Sequence, residues 1–186
     1  MMKPLSLDIQ ELREFKPYLE SGQLFSCSGM RFAREMDDVR ANLNDYGVLK
    51  LIRGAVLNSW EKYGVHLLDA VFSFLPSTAV SVIALEASHF SVAVSLNDGC
   101  LLQIDALGGC PKTFSIDIWG SQGRSSHEIS DNFTMFRRML LGFAQSLETG
   151  TAAINPQATI DIMRILIAGR VARNQQRKVM LDEIQL

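Results

Sequence analysis

Between residues 79 and 129 the chain alternates short apolar runs with turn residues, and no other segment restricts the fold so strongly. Asn97-Asp98-Gly99 separates residues 91–96 from residues 100–107, and because Asn, Asp and Gly tolerate positive φ, the two runs are expected to pair as an antiparallel hairpin. Residues 113–119 alternate strictly, with Phe114, Ile116 and Ile118 opposite Thr113, Ser115 and Asp117. This is the pattern of a strand with one buried face and one polar face. Gly108, Gly109 and Pro111 interrupt the chain before that strand, and the 120–123 turn, with glycine at both ends, interrupts it after. Val92, Val94 and Leu102 interleave with Ser91, Ser95 and Gln103, so neither face of the hairpin reads as fully solvated. Consecutive hairpins, with helices gathered toward both ends of the sequence, specify an α+β fold with an open, predominantly antiparallel sheet.

The flanking elements follow from helical spacing and caps. Asp8 and Glu11 have capping-box spacing ahead of Ile9, Leu12, Phe15 and Leu19, so a helix begins near Asp8, and Pro17 is expected to kink or end it. Residues 24–27 read as a short strand leading into a glycine-containing turn, 28–32, that bears Arg31. A second helix is expected over 33–45, closed by Gly47. Near the C-terminus, Phe133, Phe136, Leu140, Phe143 and Leu147 form an apolar stripe on a helix ending near Gly150. Asn155-Pro156 then supplies an N-cap and a first-turn proline for a helix with Ile160, Met163, Ile167 and Val171 on its inner face. Residues 179–181 suit a final edge strand. Arg170, Arg173, Arg177 and Lys178 fall at the end of that last helix, where cations complement its dipole, and read as a solvated helix end.

The densest chemistry lies in residues 58–69, where Trp60, Glu61, Lys62, Tyr63, His66 and Asp69 are packed between a strand over 48–57 and a helix carrying Leu67, Leu68 and Val71. Such a junction is held at both ends yet lets side chains face a cleft, and Gly64 reads as the residue that supplies the turn. A histidine beside apolar residues serves in a core or cap as well as in catalysis, so periodicity alone leaves both roles open. Trp60 and Tyr63 are open between core packing and a pocket wall, and Arg31 between a surface ion pair and a substrate contact. Asp69, three residues after His66, is placed to orient the imidazole. His89 and His127 are read as structural.

A net charge of -2 without a long basic run excludes nucleic acid as the main partner. Cys27, Cys100 and Cys110 show neither paired nor metal-ligand spacing, so no metal is expected and a reducing, cytoplasmic location is. The first dozen residues lack the apolar segment of a signal peptide, and no apolar run approaches the roughly 18 residues of a membrane span, so no membrane partner is expected.

In order, Lys3-Pro4, Arg31-Phe32, Gly64-Val65-His66, Asp98-Gly99, the 120–123 turn and Lys178-Val179-Met180-Leu181 resemble the successive motifs of the glucose-fructose oxidoreductase/inositol dehydrogenase (Gfo/Idh/MocA) family. The resemblance spans nearly the whole chain. It implies an α+β domain whose open sheet is covered by helices on one face, residues 1–30 being the end of a Rossmann domain and 31–186 the substrate and oligomerisation domain. It further implies an NAD(P)-dependent oxidoreductase acting on a sugar or cyclitol-type polyol, with homo-oligomers formed through the sheet face. Lys3 and His66 would be catalytic, Lys3 and Pro4 would lie against the cofactor, and Lys62, Trp60, Tyr63 and Arg31 would bind substrate.

Two departures accompany the match. Lys62 stands where the family commonly has Asp four residues before the histidine, and Met2 stands where the Glu-Lys-Pro motif has Glu. The family's G-x-G-x-x-G fingerprint does not occur in the 186 residues, so the expectation is a truncated chain, inactive alone and binding no NAD or NADP by itself. The alternative is a non-enzymatic binding or dimerisation domain derived from such an enzyme.

Overall fold

The computed structural model describes residues 4–186. Among them, seven strands form one open sheet: β1 (Leu49–Val56), β2 (Ala79–Leu85), β3 (Phe90–Leu96), β4 (Leu101–Ala106), β5 (Phe114–Gly120), β6 (Arg124–Glu128) and β7 (Val179–Met180). The α-helices are α1 (Ile9–Glu20), α2 (Asp37–Ala41), α3 (Val65–Val71), α4 (Asn132–Thr149) and α5 (Pro156–Gln175). The strand order is β6-β5-β1-β4-β3-β2-β7, and every pairing is antiparallel except β1 with β4. The hairpin expected at Asn97-Asp98-Gly99 joins β3 to β4, with Gly99 at φ +85°.

Register sorts the interleaved side chains by face. Ile118, Ile52, Leu102, Val94, Val82 and Val179 stand side by side across six strands, all fully buried beneath the helices. One residue along, Asp117, Arg53, Gln103, Ala93 and Ile83 form the corresponding row on the other face, where Arg53 and Ile83 are exposed. Two-residue periodicity therefore gives each strand an apolar side for the helices and a mixed side for solvent. Gly54 lets α3 come close, because a Cβ there would sit 2.9 Å from Leu67 Cδ1. α5 is buried around most of its circumference, lying between the sheet and α1, whose Leu12 and Leu19 join the same core.

Four local expectations are corrected. Of the two effects expected of Pro17, a kink or an end, the end does not occur: α1 continues to Glu20, a proline in the last turn costs one main-chain bond, and Ser21 N–H still reaches the Pro17 carbonyl at 3.0 Å. Residues 24–27 form no strand and pair with none of the seven; the segment is instead tied to α5 by the Thr159 hydroxyl donating to Ser26 O at 3.0 Å. The helix expected over 33–45 is broken into a 3₁₀ turn, the short α2 and another 3₁₀ turn, interrupted at Asn42, a residue that competes with helical bonds. The basic end of α5 is not simply solvated: Arg170 donates to Leu7 O at 2.8 Å, and Arg173 donates to Leu85 O at 3.2 Å while lying over the Phe90 ring.

Candidate functional site

At the end of β1 the chain reverses at Asn58, whose φ of +66° is left-handed and whose N–H bonds Gly108 O. It then forms a π-helical turn, Trp60–Gly64, that runs directly into α3. Gly64 itself is helical, with φ -54°, so the turn belongs to Asn58 and the expectation for Gly64 is corrected. Its glycine identity answers packing, since a Cβ would lie 2.7 Å from Trp60 Cε3. Trp60 is fully buried, stacks on Phe90 with centroids 5.4 Å apart, donates its indole N–H to Leu166 O at 2.9 Å and lies against Gly169. Its whole surface is spent on the core.

His66, in the first turn of α3, lines a cleft of about 670 Å³. Its Nδ1 is 2.7 Å from Ser28 Oγ, and Ser28 Oγ also accepts the Met30 N–H at 3.2 Å. One helical turn later Asp69, 4% exposed, accepts the Ser28 N–H on Oδ2 and Arg31 Nε–H on Oδ1, the latter at 2.9 Å. Asp69 therefore serves the imidazole through the segment that carries Ser28, rather than by direct contact. The 3₁₀ turn Gly29–Phe32 is gripped by α3 at two points one turn apart. The Tyr63 and Phe114 rings meet the imidazole in T-shaped contacts, with centroids 5.3 and 6.2 Å away, and stack on each other at 6.0 Å, which leaves the ring little room to turn.

The other walls come from three loops and α4: Phe25, Met30, Leu57, Lys112, Asn132, Met135, Phe136 and Met139. Lys112 is the one residue of permanent charge among the described lining residues. The wall contributed by α4 is fixed from below. Burial pushes the Glu35 carboxyl up, but the Asp131 and Ser130 N–H groups, each donating at 2.9 Å, outweigh it and hold the group below its ordinary value. Asp131 caps α4 through Thr134 N–H, and Arg138 pairs with Asp37 at 2.8 Å.

Of the residues singled out in the sequence, His66 and Tyr63 meet in this cleft. Trp60 lies behind it, Lys62 is exposed beside it, and Arg31 is held by Asp69 with its Nη2 buried and without a hydrogen-bond partner. Neither Lys62 nor Arg31 is among the lining residues, and Pro4 is half-buried away from it. Lys3 lies outside the described residues. Ser28 and Lys112 escaped sequence reasoning because they sit outside periodic elements, and Asn132 because it lies in the first turn of α4, off the apolar stripe; the one available signal was Ser28 opening the turn that bears Arg31.

A pyrophosphate cradle needs unencumbered N–H groups at a helix start. Among the described residues, α4 begins on the Asp131 carboxylate and α5 on Asn155 followed by proline, so these two starts do not fit a dinucleotide phosphate.

No family model matches the chain, and no curated protein matches it in sequence. Solved structures do. A probable dehydrogenase from Thermotoga maritima superposes with a TM-score of 0.83 at 15% identity, over 99% of this chain and 73% of that one. A myo-inositol dehydrogenase from Corynebacterium glutamicum gives 0.82 at 17% identity, over 97% and 72%. The scyllo-inositol dehydrogenase from Lactobacillus casei, solved with NAD(H) and scyllo-inositol, gives 0.77 at 15% identity, over 97% and 72%. At such identities the likeness is one of fold, and the fold is that of inositol-dehydrogenase-type oxidoreductases.

Proposed function

We propose that this chain, having the fold of inositol-dehydrogenase-type oxidoreductases, is the substrate-binding part of an NAD(P)-dependent dehydrogenase of a sugar or cyclitol-type polyol, with His66 as its acid/base. The observation that carries the reading is the His66 imidazole, anchored at Nδ1 by Ser28 and held in the wall of a cleft large enough for a small ligand. Oxidising a carbinol requires its hydroxyl proton to leave, and histidine exchanges protons near neutral pH. NAD or NADP would take the hydride. Only the proton step is assigned to this chain, because the capped starts of α4 and α5 offer the cofactor no cradle. Tyr63 and Lys112 both line the cleft and would touch the ligand, Lys112 bringing a cation where the resemblance named Lys62 for substrate binding. Residues 1–30 as the close of a Rossmann domain, a cytoplasmic location and pairing of copies through the open sheet face belong to the same proposal.

The reading is tested by following the His66 ring resonances while myo- or scyllo-inositol is added to about 10 mM, enough to detect roughly 3 kcal/mol of binding. A saturable shift, lost in Tyr63→Ala, is expected. Resonances that stay in place with every polyol tried would defeat it. The second reading, a non-enzymatic binding or dimerisation domain, is favoured by the capped starts of α4 and α5 and would then stand.

A further inference from the structure

The apolar stripe foreseen on α4 faces away from the core. Phe133 is 78% exposed, Phe136 56%, Leu140 59%, Phe143 40% and Leu147 70%, while Met135 alone of this helix is buried. The helix cannot roll to hide them. Its underside is fixed by Gly142 against Phe32, where a Cβ would sit 3.3 Å from the ring, by Arg138 on Asp37, and by the Glu35 and Asp131 caps at its start.

We infer that α4 is a self-association surface, pairing antiparallel with α4 of a second copy of this chain. Three observations select that occupant. First, the spacing 133-136-140-143-147 alternates three and four residues, the two-position seam by which one helix receives another like itself. A ligand cleft or a flat protein partner does not require that repeat. Second, the exposed parts of these five side chains amount to roughly 600 Å² per copy, taking about 200 Å² for a whole large apolar side chain. That lies at the upper limit of patches on monomers and near the roughly 800 Å² per partner of a stable interface. Third, exposed Arg137 lies in the first half of the helix and exposed Glu148 in the last. An antiparallel pair sets each half against its opposite and opposes the helix dipoles, whereas a parallel pair stacks Arg137 on Arg137. The resulting contact is two-fold and closed, and it leaves the sheet face untouched. Phe136 belongs both to the seam and to the His66 cleft, so pairing covers the outer side of one cleft wall.

The test is the solution mass by light scattering at about 100 μM, where association tighter than roughly 10 μM is well advanced. Wild type is expected to run as a dimer or an even multiple, and Leu140→Glu with Leu147→Glu is expected to halve that mass with an unchanged circular-dichroism spectrum. A monomeric wild type overturns the inference, as does a mass indifferent to the double substitution, which would place the contact on the sheet or leave the stripe to a different protein. Should the double variant misfold, cysteine cross-linking decides in a Cys110→Ser background. Cys27 is buried, and Cys100 is buried with its thiol pushed up to about 11 by desolvation and then by Asp98. Leu140→Cys is expected to cross-link between copies, and Phe133→Cys is not, because antiparallel packing holds those ends about 20 Å apart. Cross-linking through Phe133→Cys but not Leu140→Cys, or through neither, overturns the antiparallel pair.

Discussion

The Nδ1 atom of His66 lies 2.7 Å from the hydroxyl of Ser28, a residue 38 positions earlier in the chain. This contact converts a histidine on a short helix into one with a defined ring orientation. It also makes the 3₁₀ turn after Ser28 part of the site, although no residue of that turn has acid/base chemistry of its own near neutral pH.

Replacing Ser28 with alanine is expected to loosen the ring at Nδ1. Nitrogen chemical shifts of His66 should move as the tautomer balance set at Nδ1 changes, and loss of the hydroxyl that caps Met30 N–H should cost about 1 kcal/mol. Unchanged nitrogen shifts would mean that the hydroxyl does not set the tautomer.

Asp69→Ala strands the Arg31 guanidinium, whose side chain is 13% exposed. An uncompensated buried charge costs about 3–5 kcal/mol, so urea unfolding should show a loss of that order. Arg31→Met combined with Asp69→Ala should recover part of it. A single substitution costing less than about 1 kcal/mol would mark the pair as solvated in solution.

On the open sheet face Asp105 is buried and accepts hydrogen bonds from Ser91, His89, Arg53 and Gln103. Burial raises its pKa, and the four donors, Ser91 foremost, more than reverse this, leaving it below 3.8. A carboxyl whose folded pKa is depressed contributes stability that is complete above the unfolded value and is lost as pH falls through the folded one. Asp105→Asn should therefore lower the urea midpoint at neutral pH, with the gap to wild type closing as the pH falls below the ordinary carboxylate range. A gap independent of pH would contradict this.

The chain by itself is expected to bind neither NAD(H) nor NADP(H) with micromolar affinity, because Asp131 and Asn155 already occupy the N–H groups at the starts of α4 and α5. Calorimetry provides the check. Saturation below about 10 μM, worth roughly -7 kcal/mol, would require a cradle built some other way.

The sheet and the last helix were legible in the sequence because their signals are local: Gly99 for one turn, strict alternation from Thr113 to Trp119, and Asn155-Pro156 for a helix start. What escaped depends on distant packing. Gly64 reads as a turn residue until Trp60 is placed on it, and residues 24–27 look like a strand until Ser26 is found tied to Thr159 of α5. The α4 stripe was visible as a period, but which way it points is fixed by Phe32 and Asp37, a hundred residues earlier. His66 and Tyr63 announced the cleft; Lys112, carried by a loop, and Asn132, in the first turn of α4 off its apolar stripe, had no period to announce them.

The single parallel pairing, β1 with β4, also bears on the order in which the molecule assembles. β2, β3 and β4 follow one another through tight connections and can form while the chain is still local, but β1 must return across some fifty residues to enter between β4 and β5. Closing that loop costs entropy before any contact repays it, so β1 should dock late and folding should be slow for a chain of this size. Until it docks, the ladder of β4 is an unsatisfied edge carrying Leu102 and Ile104, the place where a half-folded copy would capture another. Conservative truncations such as Ile52→Val should accordingly speed unfolding and leave the folding rate nearly unchanged, while Val94→Ala should slow folding.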